Sequence, residues 1–194
     1  MRRSARRERT RQDFDRFVAS SAPGLLRTAY LVCWDLPSAE DLVQECLFQV
    51  ARRWPRVGSM EYPAAYARRV LVNLALSGAS DRSRRRGELT GEGGSEAWLS
   101  GQDPAEQALG LAATAPELLE ALKELAPRQR AVLALRYFDD LTESETAEAL
   151  GCSVGTVKST ASRALERLRQ SAALKPMERT CLRAPRALNH ERST

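Results

Sequence analysis

The chain has 194 residues, of which 43% are hydrophobic and 6% aromatic, enough apolar material for one mid-sized domain or two small ones. No uninterrupted apolar run approaches the roughly 20 residues that a bilayer crossing requires. The arginine-rich N-terminus is not followed by the apolar stretch of a secretory signal. We therefore expect a globular cytoplasmic protein with no membrane insertion.

The cysteine and histidine content argues against a metal site and against an enzyme. The four cysteines form no CxxC pair, and the one histidine, His190, lies near the C-terminus. A structural zinc site needs such ligands at close spacing, and general-base catalysis usually needs a histidine near the reacting group. The sequence thus predicts no catalytic residue, no metal ligand and no cofactor.

The net charge of +5 is distributed in three blocks. Residues 1–86 carry 17 Arg against 9 acidic residues, and residues 127–194 carry 12 basic against 8 acidic residues. Between them, residues 87–126 carry one Lys against 8 acidic residues. Two basic blocks on either side of an acidic one are typical of two polyanion-binding modules joined by a segment that avoids polyanions.

The first apolar segment, residues 14–34, has helical periodicity that Pro23 and Gly24 interrupt. We predict a helix or a helix pair broken at that dipeptide. The arginine-rich residues 1–11 before it are predicted to be a basic disordered arm.

The next amphipathic helix is predicted to start at Ser38 and to end at Pro55, because apolar residues between them recur at three- and four-residue intervals. A further helix is expected to begin near Tyr66 and to run toward the arginines of residues 82–86. Together these elements predict a compact helical domain over residues 12–86.

The acidic segment, residues 87–115, is rich in Gly, Ser, Thr, Glu and Ala and contains no Lys or Arg, which predicts a flexible linker. Helical periodicity then resumes over residues 116–171, and residues 172–194 are predicted to be a disordered tail. No strand-like alternation is present. The predicted fold class is all-α, with two small helical domains joined by a flexible acidic linker.

A helix-turn-helix is predicted within the second domain. Thr142 and Glu145 have the spacing of a capping box, Gly151 suits the left-handed turn, and Ser153 suits the cap of a second helix. That second helix leaves small polar residues and an arginine on its outer face, which favours entry into a DNA major groove. The alternative is that the two helices only pack and that the polar face is solvated.

Two segments carry a specific resemblance to a known family. LRYFDDLTESETAEALGCSVGTVKSTASRALERLR resembles region 4 of extracytoplasmic-function sigma factors of the bacterial sigma-70 family. SAEDLVQECLFQVARRW resembles the region 2 helix that docks on core RNA polymerase, and YPAAYARRVLVNLALSGASDRSRRR resembles the region that reads the −10 element. The resemblance implies a protein that binds the β′ clamp and β flap of core RNA polymerase and recognises the −10 and −35 elements of promoter DNA. It leaves open whether an anti-sigma factor also binds.

The resemblance also implies three sets of site residues. The polymerase-binding set is Asp41, Gln44, Glu45 and Phe48. The −10 set is Arg68, Arg69, Asn73, Arg82, Arg84 and Arg85. The −35 set is Arg136, Thr156, Lys158, Ser159, Ser162 and Arg163. Thr160 and Ala161 depart from the residues that many members have, so the preferred −35 sequence is not fixed.

Two other classes of function compete with this one. A stand-alone helix-turn-helix transcriptional regulator would need an N-terminal sensing domain, for example an α/β receiver with clustered acids, and no strand pattern is evident. A nucleic-acid enzyme would need carboxylates grouped around a metal. Asp139 and Asp140 are adjacent beside a turn, and we expect them to cap the next helix instead.

Overall fold

Helices make up nearly all of the regular structure. The computed structural model describes residues 2–88, 109–111, 114–171 and 174, without the side chains of residues 2–7 and 79–88. No strand occurs in these ranges, which confirms the all-α class, and none of their helices is long and apolar enough to span a membrane. The helices are α1 (Arg2–Cys33), α2 (Leu36–Arg52), α3 (Trp54–Val57), α4 (Pro63–Glu88), α5 (Pro116–Lys123), α6 (Pro127–Leu133), α7 (Glu143–Leu150) and α8 (Val154–Gln170), and a π-helical segment (Ala134–Phe138) follows α6.

Helix α1 runs without a break through Pro23, contrary to the interruption expected there. Packing on both sides of the proline explains the difference. Phe14 and Phe17 lie against Trp54, with ring centroids 5.1 and 4.9 Å from the indole, and Leu25 is buried two residues beyond the proline. These contacts outweigh the hydrogen bond that the proline ring removes.

Helix boundaries also differ from the expected ones at three places. Helix α1 takes in residues 2–11, which were expected to be a disordered arm. Helix α2 begins at Leu36 and not at Ser38, because the carboxylate of Asp35 caps it by accepting a 2.9 Å hydrogen bond from the Ser38 amide. Pro55 lies in the first turn of α3, where its missing N–H leaves no helical bond unmade.

The core of the first domain lies between α1, α2 and α4. Ala39, Cys46 and Val50 on α2 are fully buried against Ala67 and Leu71 on α4. The Cys46 thiol donates to the Ala67 carbonyl at 3.3 Å, and burial raises its pKa to about 12. This cysteine is therefore a core residue and not a reactive thiol.

The helix-turn-helix of the second domain has the predicted local structure. The Thr142 side chain accepts from the Glu145 amide at 3.2 Å, and the Glu145 carboxylate accepts from the Thr142 amide at 2.8 Å. Gly151 adopts the left-handed conformation, with φ of 60°, at the end of α7. Ser153 caps α8 by accepting from the Thr156 amide at 3.1 Å. The capping box, the glycine turn and the second cap are thus confirmed.

The two domains pack against each other. Helix α1 contacts α6 and the π-helical segment, and α4 contacts α7. Leu109 and Leu111, which belong to the predicted linker, are buried in the apolar cluster that both domains share. Most of the predicted linker, residues 87–115, and of the predicted tail, residues 172–194, lies outside the described residues.

Candidate nucleic-acid interface and docking face

The four predicted polymerase-binding residues form one exposed stripe on α2. Asp41, Gln44, Glu45 and Phe48 follow the i, i+3, i+4, i+7 spacing of one helix face, and all four are exposed. Phe48 is 58% exposed, and the Arg52 guanidinium lies 5.8 Å from its ring centroid. An exposed aromatic ring beside carboxylates can anchor a protein partner, because aromatic side chains are enriched at the cores of protein interfaces.

The predicted −10 residues on α4 point in two directions. Arg69 and Asn73 are exposed and lie one helical turn apart. Arg68 is half-buried and faces the second domain, where its Nε lies 3.7 Å from a carboxylate oxygen of Asp139. The other three predicted −10 residues also lie on α4, and the structure describes only their backbone: Arg82, Arg84 and Arg85.

Two of the predicted −35 residues form hydrogen bonds within the first two turns of α8. The Thr156 hydroxyl lies 2.9 Å from the Ser153 hydroxyl, and the Ser159 hydroxyl donates to the Thr156 carbonyl at 3.1 Å. Lys158 is exposed, and its Nζ lies 3.4 Å from a carboxylate oxygen of Glu143 on α7. An exposed ion pair of this kind contributes little to stability, so the Lys158 ammonium can exchange it for a phosphate.

The remaining −35 residues differ in exposure. Ser162 and Arg163 are exposed on the next turn of α8, and Arg163 forms no ion pair with any residue described in the structure. Arg136 is half-buried in the π-helical segment, where it donates to the Leu141 carbonyl and lies 6.0 Å from the Tyr137 ring. This hydrogen bond therefore fixes the short segment between the π-helical segment and α7.

The expectation that Asp139 caps the next helix is wrong. Thr142 is the cap, and the Asp139 side chain, only 4% exposed, faces the first domain. It accepts a hydrogen bond from the Thr28 hydroxyl at 2.8 Å, with Arg27 Nη2 at 3.4 Å and Arg68 Nε at 3.7 Å. Within the described ranges, no group of three or more His, Cys, Asp or Glu side chains could hold a metal.

Arg130 is a half-buried polar residue whose role sequence reasoning missed. Its guanidinium donates to the Val32 carbonyl at 2.6 Å and to the Leu125 carbonyl at 2.5 Å, so it joins α1 to the turn before α6. Burial lowers its pKa to about 10, which still leaves it charged at neutral pH. An arginine at the start of a helix gave no sequence signal for this role, because the carbonyl that it binds on α1 is 98 residues away.

Comparison with known proteins adds an independent line of evidence. The family model Sigma-70 region 2 matches residues 17–85, and the model Sigma-70, region 4 matches residues 116–168. The chain is 35% identical over 170 residues to the RNA polymerase sigma-E factor of Streptomyces coelicolor, covering 88% of this chain and 92% of that protein. It is 30% identical over 187 residues to the ECF RNA polymerase sigma factor SigG of Mycobacterium tuberculosis, covering 84% of this chain and 50% of that protein.

A solved structure resembles the chain over most of its length. It is the sigma factor RpoE of Bartonella quintana, in complex with the anti-sigma factor NepR. The two share 25% identity and a TM-score of 0.60, over 84% of this chain and 98% of the other. The matched regions occur in the order of the two helical domains described above.

Proposed function

Because the chain belongs to the extracytoplasmic-function group of sigma-70-family RNA polymerase sigma factors, we propose a role in promoter recognition for each of its exposed faces. As a sigma factor, it binds core RNA polymerase and directs promoter-specific initiation through the −10 and −35 elements. The polymerase makes the phosphodiester bonds. We accordingly assign the chain no catalytic residue and no cofactor, and place its action in the cytoplasm, with the chromosome.

The α2 stripe is the proposed docking face for the β′ clamp. Asp41 and Glu45 supply two carboxylates, and Phe48 supplies an apolar ring that is exposed to solvent in the free protein. Burial of that ring in a partner's pocket gains contact energy, while the carboxylates select a basic rim. The opposite face of α2 is fully used by the core, so it is the outer stripe that is free for a partner.

Helix α4 is the proposed −10 reader. Asn73 carries both a donor and acceptor on its amide, the combination that recognises a base edge by two hydrogen bonds. Arg69 lies one turn away on the same exposed face and can hold a neighbouring phosphate. The half-buried position of Arg68 makes it the least accessible of the three in this structure.

Helix α8 is the proposed −35 reader. Its outer face presents Ser159, Ser162 and Arg163, so small side chains surround one long cation. A guanidinium in that setting can reach O6 and N7 of a guanine in the major groove. Lys158 at the flank is assigned to a phosphate, which positions the helix without reading sequence.

The observation that carries the proposal is the presence of three exposed polar faces on one chain whose two halves match the two sigma regions. A stand-alone regulator needs only the α8 face and leaves the α2 stripe without a use. Gel-shift assays with promoter DNA, with and without core RNA polymerase, separate these two functions. We expect tight binding only when the polymerase is present. Equal binding without it would favour the stand-alone regulator.

A further inference from the structure

The two domains share a buried apolar contact. Val32 on α1 and Val72 on α4 are fully buried in one cluster with Leu135 of the π-helical segment and Leu150 of α7. Val157 of the recognition helix α8 belongs to the same cluster. The second domain therefore completes part of its core with side chains of the first.

A buried ion network lies beside this contact. The Asp139 carboxylate is nearly inaccessible, and each side-chain partner that the described residues give it comes from the first domain: Arg27, Thr28 and Arg68. Arg27 also donates to the Phe138 carbonyl at 3.0 Å. A carboxylate removed from water needs such partners, so separation of the domains leaves it dependent on solvent alone.

Two further contacts cross the same boundary. Arg130 of the second domain donates to the Val32 carbonyl at the end of α1, at 2.6 Å. The Lys123 ammonium lies 5.3 Å from the ring centroid of Trp34, which follows α1. The contact is thus polar and directional as well as apolar, which favours one arrangement of the domains over many loose ones.

This packed arrangement conflicts with simultaneous promoter contact. The −10 and −35 elements of a promoter, about 25 base pairs apart, are separated by roughly 85 Å along the duplex at 3.4 Å per pair. Helices α4 and α7 are in contact. The axes of packed helices lie about 8–10 Å apart, far less than the distance between the two promoter elements. The domains must separate before α4 and α8 can occupy both elements.

We propose that Asp139 is an intramolecular latch, which holds the free sigma factor closed by occupying Arg68 and Arg27 until core polymerase separates the domains. The inference rests on the proposed function, because Arg68 belongs to the −10 set. A carboxylate and a phosphate offer a guanidinium the same kind of charged oxygen acceptor. On Arg68, Asp139 therefore takes the place of a DNA phosphate and competes with the promoter.

The test is small-angle X-ray scattering of the full chain without polymerase, with circular dichroism to verify helix content. Asp139→Asn keeps the size of the side chain but removes its charge. We expect the wild type to be compact and the variant to have a larger radius of gyration. Asp140→Asn is the matched control, because this neighbouring aspartate is exposed, and it should remain as compact as the wild type. Arg27→Gln removes a first-domain partner of Asp139 and should also increase the radius of gyration, so it tests the latch if Asp139→Asn misfolds.

A second measurement links the latch to DNA. Without core polymerase, Asp139→Asn should bind promoter DNA about tenfold more tightly than Asp140→Asn, because a larger share of the molecules is open. The proposal is overturned if the wild type is already extended, or if folded latch variants match the control in both size and binding. Failure of the wild type to bind promoter DNA even with core polymerase would instead reject the proposed function. The radius of gyration of the wild type and its variants would still test the latch.

Discussion

Single side chains on α8 differ in how much of the fold depends on them. The hydroxyls of Thr156 and Ser159 are hydrogen-bonded within the first two helical turns, so their substitution changes both the helix and any DNA contact. Arg163 is exposed and makes no described ion pair, and Lys158 makes only an exposed one. Substitution of these two cations therefore reports on DNA binding with little effect on folding.

Arg163 and Lys158 should differ in what their loss does across promoters. Arg163→Ala is expected to cost about 1–3 kcal/mol at promoters with the matched guanine and little elsewhere. Lys158→Ala should weaken binding to all −35 sequences alike and reduce the salt slope by about one unit. Holoenzyme binding to a library of −35 sequences measures both effects, with Arg169→Ala, near the C-terminal end of α8, as a control. Identical profiles for the two variants would show that the roles are misassigned.

The cap of α7 gives a stability prediction with a pH dependence. Thr142→Ala should lower the free energy of unfolding by about 0.5–2 kcal/mol at neutral pH. Hydrogen bonds from the Thr142 side chain and amide lower the pKa of Glu145. Its stabilising effect is therefore present above the unfolded-state pKa and is lost as pH falls through the lowered folded-state value.

Urea unfolding at neutral and at acid pH tests this prediction. The difference between wild type and Thr142→Ala should shrink in acid, because the protonated Glu145 no longer accepts as strongly. Ser144→Ala, an exposed position in the first turn of α7, serves as the control and should change stability by less. A difference that grows in acid contradicts the assigned capping geometry.

Among the helices, local signals predicted structure well wherever the stabilising partners lie within a few residues. The Thr142 box, the Gly151 turn and the Ser153 cap each involve contacts three or four residues away, and all were found in the sequence. Pro23 was misleading because aromatic packing of Phe14 and Phe17 on Trp54 before it, and burial of Leu25 after it, favour a continuous α1. The start of α2 moved because Asp35, outside the apolar pattern, provides the cap.

The outer stripe of α2 supports a test of polymerase docking. Joint charge reversal, Asp41→Lys with Glu45→Lys, should abolish co-purification with core RNA polymerase, because the carboxylates are exposed and set the charge of the docking face. Helix content by circular dichroism should not change. Reversal of two exposed acids on α1, Asp13→Lys with Asp15→Lys, controls for net charge and should leave docking intact. If the α2 variant still co-purifies with the polymerase, the α2 stripe is not the docking face.

In the molecule as a whole, the contacts between domains were the part that sequence could not predict. Asp139 is 111 residues from Thr28, and Arg130 is 98 residues from Val32. No periodicity or cap connects such positions, and an aspartate beside a turn is locally indistinguishable from a cap. Leu109 and Leu111 were likewise assigned to a linker. The residues that bury them come from the folded domains, so the short segment itself shows no apolar periodicity that would predict their burial.

Transcription start mapping tests most directly whether this chain gives core RNA polymerase its promoter specificity. The measurement uses core polymerase of Streptomyces coelicolor on a library of random-sequence templates, with and without the purified chain. We predict new start sites only when the chain is present, preceded by two shared sequence blocks at constant spacing. Start sites that are the same with and without the chain would contradict this account.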